Sequence, residues 1–290
     1  MPQATYGALL EALRGVRWPA RRRSATVLPG AHPSRRTGRS TELTEHRLYR
    51  QGDDPRRLDW RLLARTDRPY IRLANDRTTV PLFLVADASA SMAFPEHGRT
   101  KWRLACEMAV GLAAVSHTEG DPAGLGIAQR ERTLWLGPRG RSGAILDVAR
   151  LLERAVVGGS PPLAPLLAAA PTGARVAILS DFLGDEDALL AAAAHRTAAG
   201  GEVHVVHIVA REELDPGEGS TLTFDPEAPD VKRALSGATL ALYRERFAEW
   251  RERLARRCHE RGIRYVQAVT DEQPHRVVRR VVSLELEGVA

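Results

Sequence analysis

A continuous apolar run followed by regularly spaced polar residues stands at Val80-Pro81-Leu82-Phe83-Leu84-Val85-Ala86-Asp87-Ala88-Ser89-Ala90-Ser91-Met92. The apolar part is typical of a strand buried on both faces, as in a parallel sheet. Asp87, Ser89 and Ser91 then follow the carboxyl end of that strand, where open α/β sheets bind their ligands. One carboxylate and two hydroxyl groups at alternate positions form an oxygen-rich set, which suits Mg²⁺ or Mn²⁺ better than zinc.

A second buried strand that ends in an acid is predicted at residues 174–181, which read Ala-Arg-Val-Ala-Ile-Leu-Ser-Asp. Asp181 ends this strand as Asp87 ends the first, and two such strands side by side would bring both acids to one edge of the sheet. Between the two strands, the sequence Gly158-Gly159-Ser160-Pro161-Pro162 offers another hydroxyl group. From the residues alone, Ser160 is the cap of a helix that begins at the prolines.

The Asp-x-Ser-x-Ser sequence resembles the metal-ion-dependent adhesion site of von Willebrand factor A-like domains. The resemblance implies three ligand loops, with Asp87, Ser89 and Ser91 in the first, Ser160 in the second and Asp181 in the third. Such domains carry a threonine in the second loop. Serine offers the same hydroxyl ligand but lacks the methyl group that holds the side chain in position, so this departure bears on metal affinity.

A second signature lies upstream, and it reads Arg47-x-Tyr49-x-x-Gly52-Asp53-Asp54-x-Arg56-x-Leu58-Asp59-Trp60-x-x-x-Ala64-Arg65. It resembles the signature of the bacterial domain-of-unknown-function family number fifty-eight, whose proteins contain the same A-like domain. The two signatures occur together and in the family's order, and the resemblance covers roughly residues 30–285. It implies a partnership with a MoxR-type AAA+ ATPase in chaperone-like maturation of other proteins.

Three segments are predicted: a basic arm and linker at 1–37, a charged extension at 38–79, and a doubly wound α/β domain with a mostly parallel sheet at 80–285. In the extension we predict an ion-pair network that fixes it to the sheet domain, with Trp60 as its apolar anchor; the alternative is a partner-binding surface. Helices are predicted at 5–18, 56–65, 100–117, 142–156, 185–199, 238–261 and 274–282. Strands are predicted at 41–43, 70–73, 80–87, 124–128, 132–136, 174–181, 201–210, 221–224 and 263–269, with a flexible linker at 29–38 and loops through most of 211–237.

Composition favours a globular protein of the cytoplasm. Of the 290 residues, 43% are hydrophobic and 27% are charged. No run has the length of a membrane helix and no secretory signal pattern is present. Cys106 and Cys258 are expected to be free buried thiols. His204 and His207 lie three apart on a strand, so they point to opposite faces and do not share a zinc ion.

The basic charge is concentrated near the start of the chain. The net charge is +6, and residues 1–40 hold eight arginines against Glu11 alone. This arm is either a solvated tail, a peripheral contact with the anionic inner membrane surface, or a nucleic-acid contact. No aromatic interleaving supports the nucleic-acid alternative.

The motifs favour binding over catalysis. The sequence has no GxxxxGK[ST] phosphate loop, no GxSxG elbow and no HExxH helix. A metal ion held mainly by neutral hydroxyl groups keeps an open coordination position and an uncompensated charge, which a carboxylate of another protein would complete. We therefore expect a non-enzymatic, metal-dependent protein-binding module. The alternatives are a Mg²⁺-dependent phosphoesterase or nuclease that uses Asp87 and Asp181, and a scaffold whose metal site is empty.

Overall fold

The computed structural model describes residues 2–19, 29–53, 55–216, 222–225, 228–234 and 237–283. The chain divides into two units, residues 19–80 and residues 1–18 together with 81–290. The helices are α1 Pro2–Ala12, α2 Trp60–Thr66, α3 Lys101–Thr118, α4 Ala144–Glu153, α5 Ala164–Ala169, α6 Glu186–Ala198, α7 Arg211–Leu214, α8 Gly237–Glu260 and α9 Pro274–Val282. The strands are β1 Pro29–Leu48, β2 Tyr70–Thr78, β3 Leu82–Asp87, β4 Ala123–Ala128, β5 Thr133–Arg139, β6 Arg175–Ser180, β7 Val203–Val209, β8 Leu222–Asp225, β9 Ala228–Ala234 and β10 Arg264–Val269.

The larger unit is built on a six-stranded sheet in the order β10-β7-β6-β3-β4-β5. Every neighbouring pair is parallel except β4 and β5, which are antiparallel. The chain runs outward from β3 to β5 on one side and then returns to β6 on the other side of β3. The carboxyl ends of β3 and β6 therefore flank the point where the strand order reverses, which is the usual ligand position in such sheets. The predicted doubly wound, mostly parallel α/β class is confirmed.

The central strand β3 has no exposed face. Leu82, Leu84 and Ala86 belong to a core layer that also takes in α1, α3, α4 and α9. Phe83 and Val85 belong to a second layer that takes in α5, α6 and α8. Two helical layers explain why β3 is a continuous apolar run rather than an alternating one.

The first 18 residues, which the sequence placed in the basic arm, are part of the sheet unit. Leu13 and Trp18 are buried in the layer of α3 and α9. The Arg175 guanidinium lies 4.4 Å from the centre of the Trp18 ring and donates a hydrogen bond of 3.1 Å to the Trp18 carbonyl. The predicted helix at 5–18 is observed at Pro2–Ala12. Residues 20–28 of the arm lie outside the described residues.

The smaller unit contains the upstream signature. β1 pairs with β2 in an antiparallel ribbon with several register shifts, and β1 includes the stretch Pro29–Gly38 that was expected to be a linker. Asp59 caps α2 by accepting from the amides of Arg61 and Leu62. Trp60 is 65% exposed, so the prediction that it is an apolar anchor is wrong. Helix α2 therefore begins with an exposed aromatic residue.

Further expectations are met within the larger unit. Both cysteines are buried and free. His204 contacts Trp18 in one layer and His207 contacts Trp250 in the other, so the two imidazoles do lie on opposite faces. The segment 211–237 differs from the expected loops with one edge strand, because its described residues include α7, β8, β9 and the start of α8. Across the described ranges, no helix combines the length and the hydropathy needed to cross a membrane.

Candidate metal centre

The first predicted ligand loop folds back on the end of β3. Asp87 Oδ1 accepts from the amide of Ser89 at 2.8 Å, which turns the chain into a short 3₁₀ helix at Ala90–Ala93. The hydroxyl groups of Ser89 and Ser91 lie 3.1 Å apart. All three side chains are buried. The sequence therefore places one carboxylate and two hydroxyl groups in a single cluster at the carboxyl edge of the sheet, as predicted.

The second loop is fixed to the first by its backbone. Gly158 donates to the Ala88 carbonyl and Ala90 donates to the Gly159 carbonyl, both at 2.8 Å. Gly159 has φ +69°, a left-handed conformation that glycine adopts without strain. Ser160 follows directly. Helix α5 begins only at Ala164 with Leu163 at its cap, so Ser160 does not cap that helix.

The third loop follows β6 and faces the first. Ser180 Oγ donates to Asp87 Oδ2 at 2.6 Å and accepts from the Phe182 amide at 3.0 Å. Asp181 Oδ1 accepts from the Leu183 amide at 3.2 Å. Between these residues Phe182 has φ +58°, an uncommon conformation for a bulky side chain. Such strain at the end of a central strand is typical of a functional loop.

A lysine that was not predicted as part of the site binds Asp181. Lys101, the first residue of α3, is 0% exposed, and its ammonium lies 2.7 Å from Asp181 Oδ2 and 2.6 Å from Glu213 Oε1. Burial by itself lowers the pKa of Lys101, but attraction to Asp181 and Glu213 outweighs this, and the pKa is raised. Lys101 is thus a buried cation held between two loops of the sheet edge.

A cavity opens beside this cluster. Its volume is about 20 Å³ and it is partly open to solvent, and Asp87, Ser89, Ser160 and Ser180 line it together with the first turn of α6. Ser91 and Asp181 are not part of this lining and are buried. The second and third loops approach each other closely here. A Cβ atom built on Gly184 would lie only 4.0 Å from Ser160 Oγ. The structure therefore brings all five predicted ligand residues to one edge, with three of them facing the cavity.

The donor set fits a hard divalent cation. Burial, together with the neighbouring charge of Asp181, raises the pKa of Asp87 to about 6. A cation beside Asp87 would remove this penalty. The facing groups are carboxylate and hydroxyl oxygens, which Mg²⁺ and Mn²⁺ prefer. In the described part of the chain, no group of three or more His, Cys, Asp or Glu side chains could hold a metal ion.

Three residues of this hydrogen-bonded cluster were not predicted from the sequence: Lys101, Ser180 and Glu213. Ser180 was read only as part of a strand, and Glu213 lay in a stretch predicted to be loops. Lys101 did carry a signal, because the chain has only two lysines, Lys101 and Lys232, among 42 basic residues. A compact ammonium can donate in two directions between two carboxylates, which the planar guanidinium of arginine does less readily in a tight space.

The model of the family described as "Protein of unknown function DUF58" matches residues 45–256. The chain belongs to this family. The prediction made from the upstream signature is therefore confirmed. An uncharacterised protein of Mycobacterium tuberculosis and one of Mycobacterium bovis are similar to this DUF58 chain. Each is 29% identical over 232 residues, which is 77% of this chain and 73% of the relative.

Solved structures also resemble this DUF58 chain. BatB from Bacteroides thetaiotaomicron is 16% identical with a TM-score of 0.48, and the match covers 70% of this chain and 97% of BatB. The SpRpn10 VWA domain is 14% identical with a TM-score of 0.39, and the match covers 73% of this chain and 100% of that domain.

Proposed function

We propose that this DUF58 chain is a divalent-metal-dependent protein-binding module rather than an enzyme. Mg²⁺ or Mn²⁺ would be held by Asp87, Ser89 and Ser91, with Ser160 and Asp181 contributing from the other two loops. The observation that carries the proposal is the convergence of three loops on one cavity, with Asp87 bonded to Ser180 on one side and Ser89 on the other. When bound, the metal ion supplies a Lewis-acidic position for an oxygen ligand from outside the chain.

Exposed apolar residues close in sequence to the second and third loops support a protein as the partner. Leu183, two residues beyond Asp181, is 48% exposed, and Val156, just before the second loop, is 70% exposed. Apolar side chains beside a polar centre are typical of protein-binding surfaces. The partner would offer a carboxylate to the metal ion, since the hydroxyl ligands leave its charge poorly neutralised.

The wider assignment rests on family resemblance. We propose that the module is an adaptor for a MoxR-type AAA+ ATPase, which would supply the nucleotide hydrolysis for maturation of other proteins. Its place would be the cytoplasm, at the inner surface of the membrane. The basic character of residues 19–80 supports a contact with anionic lipid.

One observation favours a second candidate, a scaffold that works without metal. Lys101 already provides a positive charge at Asp181 Oδ2, 2.7 Å away. If this ammonium takes the place of the metal ion, the three loops serve only to shape a binding surface.

The decisive experiment is a thermal melt in chelator and then in excess Mg²⁺ or Mn²⁺. A ligand at about a hundred times its dissociation constant stabilises by roughly 2.7 kcal/mol. For a domain of this size, that raises the melting temperature by roughly 5–10 °C. The wild-type protein should show this rise and Asp87→Ala should not.

Asp185→Asn is the matched control. Asp185 lines the same cavity, and its Oδ1 accepts from the Ala188 amide at the start of α6, a role that asparagine retains. The control should keep the full metal-dependent rise. The absence of any rise in the wild-type protein would reject the metal-dependent module and favour the scaffold.

A further inference from the structure

We infer that Lys101 competes with a divalent metal ion for Asp181 and thereby sets the metal affinity of the centre. The inference rests on the proposed metal site, but its test separates the two. Lys101 is not one of the predicted metal ligands. Its competing role is inferred from the contacts of its buried ammonium group.

Both oxygens of Asp181 are engaged within the chain. Oδ1 accepts from the Leu183 amide and Oδ2 accepts from Lys101 Nζ. A metal ion that takes Oδ2 must share this atom with an ammonium 2.7 Å away. Two cations on one carboxylate oxygen repel each other strongly in a buried site, because little water screens them. A metal ion therefore binds Asp181 either by displacing the Lys101 ammonium or by lying beside it at a cost in electrostatic repulsion.

The Lys101 ammonium partly neutralises the negative charge of the acids in this cluster. Asp87 and Asp181 are buried acids, the Glu213 side chain is 15% exposed, and Lys101 binds Asp181 and Glu213 directly. Without the ammonium, Asp181 and Glu213 would be uncompensated, which is costly for buried carboxylates. Lys101 thus allows the three loops to hold their arrangement when no metal is bound.

Lys101 also connects the centre to a more distant segment. Glu213 Oε2 accepts from the Ala210 amide at the end of β7, and the Glu213 carbonyl accepts from the Tyr243 hydroxyl of α8. The ammonium is therefore held from two directions, by the third loop and by α7. Displacing it from Asp181 would leave it bound to Glu213, so the lysine need not become unpaired when a metal ion binds.

The test uses a charge-balanced double variant, Lys101→Met with Glu213→Gln. It removes one positive and one negative charge, so the net charge of the cluster is unchanged while Asp181 Oδ2 becomes available. Mn²⁺ affinity, measured on the full chain by electron paramagnetic resonance of free Mn²⁺, should increase at least tenfold over the wild-type protein. Adding Asp181→Asn to the double variant should remove this gain.

A single Lys101→Met variant provides a second readout. In chelator it should melt below the wild-type protein, because the carboxylates of Asp181 and Glu213 lose the ammonium that both contact, and adding Asp181→Asn should restore part of the loss. If the single variant does not fold in chelator, folding that is recovered with Mn²⁺ supports the inference. Failure to fold both with and without Mn²⁺ leaves the decision to the double variant, which keeps the charge balance.

The outcomes separate this inference from the metal-dependent module. A wild-type protein that binds Mn²⁺, with no gain in the double variant, overturns the role of Lys101 and leaves the module intact. A wild-type protein without detectable binding, together with a double variant that binds, supports the role of Lys101 and rejects the module. If neither protein binds Mn²⁺, both proposals are rejected.

Discussion

The Ser180 hydroxyl group holds two parts of the candidate metal centre in place. It donates to Asp87 Oδ2 at 2.6 Å and accepts from the Phe182 amide, so it fixes both an acid and the strained residue beyond it. Ser180→Ala would leave a buried carboxylate oxygen without this donor. Leaving such a group unsatisfied costs about 1–3 kcal/mol. We expect a loss of that size in the free energy of unfolding, measured with denaturant in the presence of chelator.

Ser116→Ala is the matched control for this prediction. Ser116 is equally buried on α3, but its hydroxyl has no hydrogen-bond partner among the described residues. Removing an unpaired buried hydroxyl should be neutral or slightly stabilising. Equal losses in the two serine variants would mean that the bond to Asp87 contributes nothing specific.

The ligand residues could be predicted from the sequence, whereas the residues that support them could not. Asp87 and Asp181 follow long apolar runs, so their position at strand ends follows from local pattern alone. Lys101 and Glu213 meet only because α3 and α7 begin beside the same sheet edge, 112 positions apart in the chain. No local periodicity carries that information.

Among the elements, those buried on both sides were predicted best. β3, β6 and β7 are entirely buried, and their apolar runs stand out against the charged segments around them. The segment Pro29–Leu48 was harder, because a long irregular ribbon with several register shifts has no steady two-residue alternation. Helix α1 was predicted as a helix, but the sequence did not show that Tyr6 and, beyond the helix, Trp18 are buried in the core layer of α3 and α9.

Trp18 should therefore be essential for holding the first 18 residues in place. It is 2% exposed and contacts both Arg175 and His204. Trp18→Ala should cost about 3–5 kcal/mol, as is usual when a large buried aromatic side chain is truncated. We expect lower thermal stability together with faster tryptic cleavage after Arg14 and Arg17, which lie between α1 and Trp18.

Trp60→Ala is the control for the Trp18→Ala variant. The side chain is 65% exposed on α2, and exposed substitutions usually change stability by less than about 0.5 kcal/mol. The thermal stability of Trp60→Ala and its rate of tryptic cleavage after Arg14 should match those of the wild-type protein. If Trp18→Ala also behaved like the wild-type protein, the N-terminal segment would be held by α1 alone.

Across the whole molecule, charge is divided unevenly between the two units. Residues 19–80 contain 15 arginines against seven acids, a net charge of +8, so the remaining residues sum to −2. A basic unit of this kind is attracted to anionic lipid by roughly 1 kcal/mol for each charge near the surface. The attraction is long-ranged only at low salt, since the screening length is about 8 Å at physiological ionic strength.

We therefore predict that the chain binds vesicles containing phosphatidylserine but not vesicles of phosphatidylcholine alone, and that added salt releases it. Replacing Arg21, Arg22 and Arg23 by glutamate lowers the net charge of residues 19–80 from +8 to +2 and should abolish co-sedimentation. The same change in charge at Arg246, Arg253 and Arg256, exposed on α8, should have a smaller effect because those residues belong to the other unit. Equal losses in the two triple variants would show that net charge, rather than the basic unit, determines binding. Binding to duplex DNA that is stronger than to anionic vesicles at the same salt would instead identify a nucleic-acid contact and reject the membrane as the partner of this unit.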